Sequence, residues 1–159
     1  MILIFDLNDL SSGCVFFLET RNNIILDGKF TKIIYSDENI VMNGIYMSIS
    51  IDEYTIDKPY GRINMKYTKN NESIINKIAD IERSIIENFK RINVSTKQPK
   101  YILKEQLDTL FIKVYRDNST FTSNTNKFCK ILLKISGVWE DENSIGITYK
   151  FIESFSLHL

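Results

Sequence analysis

The sequence predicts a mostly β single domain with one long helix, wound as a small antiparallel barrel. Three observations predict it. Before residue 68 apolar residues recur at every second position, over 71–92 they recur at threes and fours, and after residue 110 the two-residue period returns. Strands grouped on either side of one helix argue against a βαβ array and for a sheet that closes on itself. With 159 residues, 43% of them hydrophobic, the chain can bury one substantial core but not two, so residues 1–159 read as one domain.

The first strands are expected over 14–20, 24–35, 40–52 and 61–67, all rich in Ile, Val, Tyr and Phe. Asn22-Asn23, Asp27-Gly28, the run from Ser36 to Asn39, and Lys58-Pro59 break them, because such residues favour turns over ladders. Within 45–51, Ile45, Met47, Ile49 and Ile51 share one face while Tyr46, Ser48 and Ser50 share the other. Asn43-Gly44 has strand-like residues on both sides, which favours a bulge over a hairpin turn.

The helix over 71–92 carries Ile74, Ile78, Ile81, Ile85, Phe89 and Ile92 on one stripe, with Glu72, Lys77, Asp80, Arg83 and Glu87 between them. Asn70 or Asn71 is the expected cap, since a short side-chain oxygen satisfies an orphan backbone N–H, and Gln98-Pro99 stops any continuation. Strands at 110–116, 128–136 and 145–152 follow, the first two separated by a polar loop at 117–127. The expected architecture sets this helix between the third and fourth main strands of the barrel. An OB-fold carries its helix in that position, so the expected architecture is an OB-like antiparallel barrel.

Composition excludes several classes. The 20 Lys and Arg cancel the 20 Asp and Glu, so neither a wholly basic surface nor charge-driven disorder is indicated. No apolar run approaches the roughly 20 residues of a membrane span, and the first six residues lack the basic start and sustained apolar stretch of a secretory signal. A soluble intracellular protein with no membrane partner is expected. Cys14 and Cys129 match neither a disulfide framework nor a metal spacing and are read as reduced and buried. Asn71-Glu72-Ser73, Asn93-Val94-Ser95 and Asn118-Ser119-Thr120 fit the glycosylation pattern, which an intracellular chain does not use.

The zero net charge conceals an asymmetry. Residues 1–57 hold 3 Lys and Arg against 9 Asp and Glu, residues 58–134 hold 16 against 7, and residues 135–159 hold 1 against 4. A basic centre suits a polyanion, because Lys and Arg neutralise phosphates and release condensed counterions; charges spread over a solvated surface are the alternative. In the strand near residue 110, Leu110, Ile112 and Val114 alternate with Phe111, Lys113 and Tyr115, and Arg116 follows. A face turned from the core would read aromatic, base, aromatic, which is how a stacking platform for bases is built. Lys130 and Lys134 alternate with Ile131, Leu133 and Ile135, while Arg62 and Lys66 oppose Ile63, Met65 and Tyr67. Phe111 and Tyr115 packed under the helix as core is the competing arrangement. Trp139, where a strand enters an acidic turn, either stacks a base or plugs the barrel end.

Enzyme chemistry finds little support. His158 is the only histidine, which leaves no histidine-based triad or multi-histidine zinc site. Glu140-Asp141-Glu142 is the densest acidic cluster, and adjacent acids followed by Asn143-Ser144 read as an exposed hairpin turn. No cofactor, metal or catalytic residue is expected.

Three stretches together carry a resemblance: Phe30-Thr31-Lys32-Ile33-Ile34-Tyr35-Ser36 running into Asn43-Gly44-Ile45-Tyr46, then Ile81-Glu82-Arg83-Ser84-Ile85-Ile86, then residues 133–140 followed by Gly146-Ile147-Thr148-Tyr149-Lys150-Phe151. Their order resembles OB-fold single-stranded DNA-binding-like proteins of large nucleocytoplasmic DNA viruses. The resemblance implies a non-catalytic replication, recombination or repair factor that coats single strands, working in a viral factory in the host cytoplasm or nucleus. Single-stranded DNA is the expected partner, with RNA as a variant and a second copy or a replication protein as protein partners. Phe111, Tyr115 and Trp139 would stack bases, and Arg62, Lys66, Lys113, Arg116, Lys130 and Lys134 would hold the backbone. The alternative function is an assembly module, in a virion or transcription complex, that binds a partner chain through a sheet edge.

Overall fold

The computed structural model describes residues 4–25, 27–57, 63–115 and 128–153. Along these the chain forms β1 (Phe5–Asp6), β2 (Val15–Asn22), β3 (Lys29–Ser36), β4 (Val41–Asn43), β5 (Ile45–Asp52), β6 (Tyr54–Asp57), β7 (Ile63–Tyr67), α1 (Glu72–Ile92), β8 (Gln98–Pro99), α2 (Ile102–Asp108), β9 (Phe111–Tyr115), β10 (Phe128–Glu140) and β11 (Ser144–Glu153).

The strands join one sheet whose path runs β1-β5-β10-β11-β9-β7-β6, with β3 branching from β10 between β2 and β4. The branch exists because β10 is thirteen residues long. Its first half, Phe128 to Ile135, pairs with β5, and beyond an irregularity at Ser136 its second half, Gly137 to Glu140, pairs with β3. Gly44 makes the matching change between β4 and β5, which pair with β3 and β10 respectively. Its φ is +94°, and a Cβ there would lie 2.8 Å from the Ile135 carbonyl oxygen. The chain bends at Gly44 and changes partner, and no hairpin turn forms.

The fold is mostly β with one long helix, as the periodicity predicts, but the sheet is mixed. β1 with β5, β8 with β11, and β9 with β11 pair in parallel, and among the described residues no pairing joins β1 to β6, so the sheet is open. The expected barrel was all antiparallel. The parallel pairing arises because β11 inserts between β9 and β10, which run in opposite directions, so a strand antiparallel to β10 is parallel to β9. The long helix follows the seventh strand, since short β1 and β4 and the four-residue β6 left no legible period in the sequence. The expected strand at 24–35 begins only at Lys29, with Ile24 and Ile25 exposed in the preceding turn.

One sheet face is the core. Ile45, Met47, Ile49 and Ile51 of β5 and Ile131, Leu133 and Ile135 of β10 bury there with Ile78, Ile85, Ile86 and Phe89 of α1 and Leu103 and Leu107 of α2. The buried side of α1 is rotated from the expected stripe: Ile75, Ile78, Ala79, Glu82, Ile85, Ile86 and Phe89 are buried, Ile74 and Ile81 flank them half-buried, and Ile92 is exposed. The rotation follows from Glu82, which the apolar pattern passes over. Its carboxylate accepts the backbone N–H groups of Leu103 at 3.0 Å and Lys104 at 2.9 Å, so α1 caps α2.

Asn71 is buried but does not cap α1. Its side chain accepts the Asp52 N–H at 2.9 Å and donates to the carbonyls of Asp52 and Thr68, tying the helix start to the end of β5. Cys14 and Cys129 are free thiols, half-buried where full burial was expected. Burial pushes the Cys129 thiol up to about 12. Among the described residues no helix is long and apolar enough to cross a membrane.

Candidate nucleic-acid interface

Alternation along each strand sends every second side chain away from the core. In β9, Ile112 and Val114 are buried while Lys113 is half-exposed and Tyr115 is 50% exposed. The helices pack on the opposite face: the Tyr67 hydroxyl donates to the Leu107 carbonyl at 2.7 Å, and the Tyr149 hydroxyl to the Gln106 side chain. Phe111 and Tyr115 are therefore not core under the helix. They lie on the outer face, as the stacking arrangement requires.

Register assembles that face into rows. Tyr115 is level with Ile152, which faces Leu132, which faces Ser48. Two residues along, Lys150 faces Lys134, which faces Tyr46. Lys113 stands at the same level on β9, since β9 runs parallel to β11. At a strand spacing of ~4.8 Å, the lysines of β9, β11 and β10 span about 10 Å. Phe111 pairs with Lys66 on one flank, and Lys130 faces Ser50 on the other. Lys66, Lys113, Lys130 and Lys134 thus share one face with Phe111 and Tyr115. Arg62 and Arg116, the other two predicted contacts, lie outside the described residues.

Two members of this face were missed by sequence reasoning. Tyr46 and Lys150 carry the same alternation signal, Tyr46 between Ile45 and Met47 and Lys150 beside Phe151, but only the register brings them beside Lys134.

Electrostatics set the face apart. Among the described residues, none of Lys66, Lys113, Lys130, Lys134 and Lys150 forms an ion pair, whereas Lys97 pairs with Glu140 at 3.2 Å and Lys100 with Asp141 at 3.8 Å. The Lys134 ammonium lies 5.0 Å from the centre of the Tyr46 ring, and that of Lys113 lies 5.3 Å from the Tyr115 ring. Lys134 and Lys150 are like charges directly opposite each other across two strands, an arrangement that destabilises a sheet unless an anion sits between them. Of the carboxylates on the same face, Asp6 and Asp57 stand on the outermost strands β1 and β6, and Asp52 stands at the end of β5.

No family model, curated protein or solved structure matches this chain.

Trp139 stands apart. It lies five residues beyond Lys134 along β10, roughly 17 Å at 3.4 Å per residue. Its indole N–H donates to the Ile147 carbonyl at 3.1 Å, and its ring lies so close over Gly146 that a Cβ there would come within 2.5 Å. The neighbouring Glu140 ends β10 with its side chain mostly covered, not in the exposed turn expected of it, and Asp141 opens the turn, where its Oδ1 accepts the N–H groups of Asn143 and Ser144. Those two bonds hold the Asp141 carboxyl below its ordinary pKa. A pinned indole beside carboxylates is poorly placed to receive a phosphate backbone, so Trp139 does not join the lysine row. Among the described residues no three His, Cys, Asp or Glu side chains gather as a metal-holding group.

Proposed function

We propose that this protein binds single-stranded DNA without catalysis, laying the strand across the outer face of β9, β11 and β10. The observation that carries this reading is the Lys134–Lys150 pair with Tyr46 and Tyr115 beside it. Phosphates relieve the repulsion between the lysines, and unstacked bases cover the rings. A single strand satisfies both at once. A duplex keeps its bases stacked on one another and offers the rings nothing to cover, so it binds through charge alone. In this reading the domain is an OB-like coating factor of viral replication, recombination or repair, the setting implied by the resemblance above.

Fluorescence anisotropy with labelled single-stranded DNA, single-stranded RNA and duplex DNA, each over a salt series, tests it. Single-stranded DNA should bind most tightly, with log affinity falling by about 0.7 per phosphate contact for each tenfold rise in salt. Absence of salt-sensitive binding to single strands at low ionic strength would sink the proposal, and stronger binding of RNA would reassign its substrate.

A further inference from the structure

Five strands have a single neighbour among the described residues: β1, β2, β4, β6 and β8. Four of them have two to four residues, a length that blunts an edge, while β2 has eight. The charges on the β2 edge are Glu19 and Arg21 alone. It holds no Lys and no Pro, and Phe16 and Leu18 are exposed along it, with Ile24 and Ile25 exposed in the turn that follows. Leu18, Ile24, Ile25 and Phe30 line an open groove of about 710 Å³ on the same hairpin, with Arg21 and Lys32 at its polar positions.

The occupant follows from charge. Between Phe17 and Thr20 the pairing with β3 carries an extra residue, so Leu18 and Glu19 together oppose Lys32 on the outer face, and Arg21 opposite Phe30 shares that face. Glu19 and Arg21 are both exposed, and among the described residues neither forms an ion pair. Two antiparallel copies of β2 centred on Thr20 set Glu19 of each copy against Arg21 of the other. The sequence Glu19-Thr20-Arg21 is charge-complementary when read against itself in reverse.

We infer that β2 is a self-association edge, joining two copies of this chain into one continuous sheet about a two-fold axis at Thr20. An antiparallel joint of this kind has its axis perpendicular to the sheet, which leaves the outer faces of both copies on the same side. Two lysine and tyrosine faces then share one surface. The joint depends only on β2 and stands whether or not that surface binds nucleic acid.

Sedimentation equilibrium over a concentration series tests this on the full chain without nucleic acid. Glu19→Arg alone, or Arg21→Glu alone, sets like charges opposite each other twice per dimer and should weaken dimerisation about tenfold or more. The double variant Glu19→Arg with Arg21→Glu restores both ion pairs with reversed sign and should recover wild-type association. Circular dichroism confirms that these exposed substitutions leave the fold intact. A wild-type protein that stays monomeric at every concentration overturns the inference. So does a dimer that the single variants leave unchanged, or one that the double variant fails to rescue.

Discussion

Glu82 in α1 holds the first turn of α2 through Leu103: its carboxylate accepts the Leu103 N–H at 3.0 Å inside a fully buried contact, with the Lys104 N–H at 2.9 Å completing the pair. A seven-residue helix is too short to persist alone, and the orphan donors of its first turn would otherwise be buried unpaired. The position of α2 in turn sets the Leu107 carbonyl that receives the Tyr67 hydroxyl of β7. One carboxylate thus couples both helices to the side of the sheet opposite the lysine row.

Burial holds the Glu82 carboxyl above the ordinary glutamate pKa, with the two backbone N–H donors pulling the other way and losing. A folded pKa above the unfolded one means that the folded state binds the proton more tightly between the two values. The resulting stability is fully present below the unfolded value and is lost as pH rises through the folded one. Urea unfolding from neutral pH down to the ordinary glutamate range should therefore show a stabilising component in the wild type that Glu82→Gln lacks. Identical pH profiles would contradict this account. Glu82→Ala, which leaves both N–H groups buried without an acceptor, should destabilise by about 2–4 kcal/mol.

Stacking and charge are separable on the outer face. Tyr115→Ala should weaken single-strand binding by roughly 1–3 kcal/mol with little change in salt slope, because a ring contributes no counterion release. Lys134→Ala should lower the salt slope by about one phosphate contact. Anisotropy titrations at several salt concentrations distinguish the two losses. Equal effects of both variants on the slope would refute the division of labour.

The Lys134–Lys150 pair also predicts a trade between stability and binding. Removing either ammonium relieves cross-strand repulsion in the free protein, so Lys150→Ala should leave thermal stability unchanged or slightly raised while affinity for single strands falls. A lowered midpoint in calorimetry would show that Lys150 packs structurally and would remove the main support for anion binding.

Gly44→Ala tests the partner change between β4 and β5. The positive φ and the 2.8 Å approach to the Ile135 carbonyl both penalise a side chain, so a loss of about 1–3 kcal/mol is expected in denaturant titrations. Tolerance of alanine there would mean that the strand can relax away from β10.

Trp139→Phe removes the donor to Ile147 but keeps a ring over Gly146. Stability should fall by about 1 kcal/mol, and affinity for single strands should hold, since the indole stands away from the lysine row. Matched binding isotherms check this, and a large loss of affinity in the folded variant would return Trp139 to the interface.

The amino-acid sequence by itself determined the parts that depend on periodicity. The alternation of Ile45, Met47, Ile49 and Ile51 with Tyr46, Ser48 and Ser50, the aromatic and basic set of Phe111, Lys113 and Tyr115, and the helical run after Asn71 are properties of neighbouring residues, so one window of sequence contains them. Which strands lie side by side is a property of distant residues. Only the tertiary structure inserted β11 between β9 and β10, made two pairings to it parallel, and set Lys150 against Lys134. It also decided that Glu82 is buried and Ile92 is not, because burial on α1 follows from where α2 presents its backbone N–H groups, a demand that no apolar stripe records. Hydrophobic pattern chooses a face locally, while register and capping partners are settled only when the whole sheet and both helices compete for the same space.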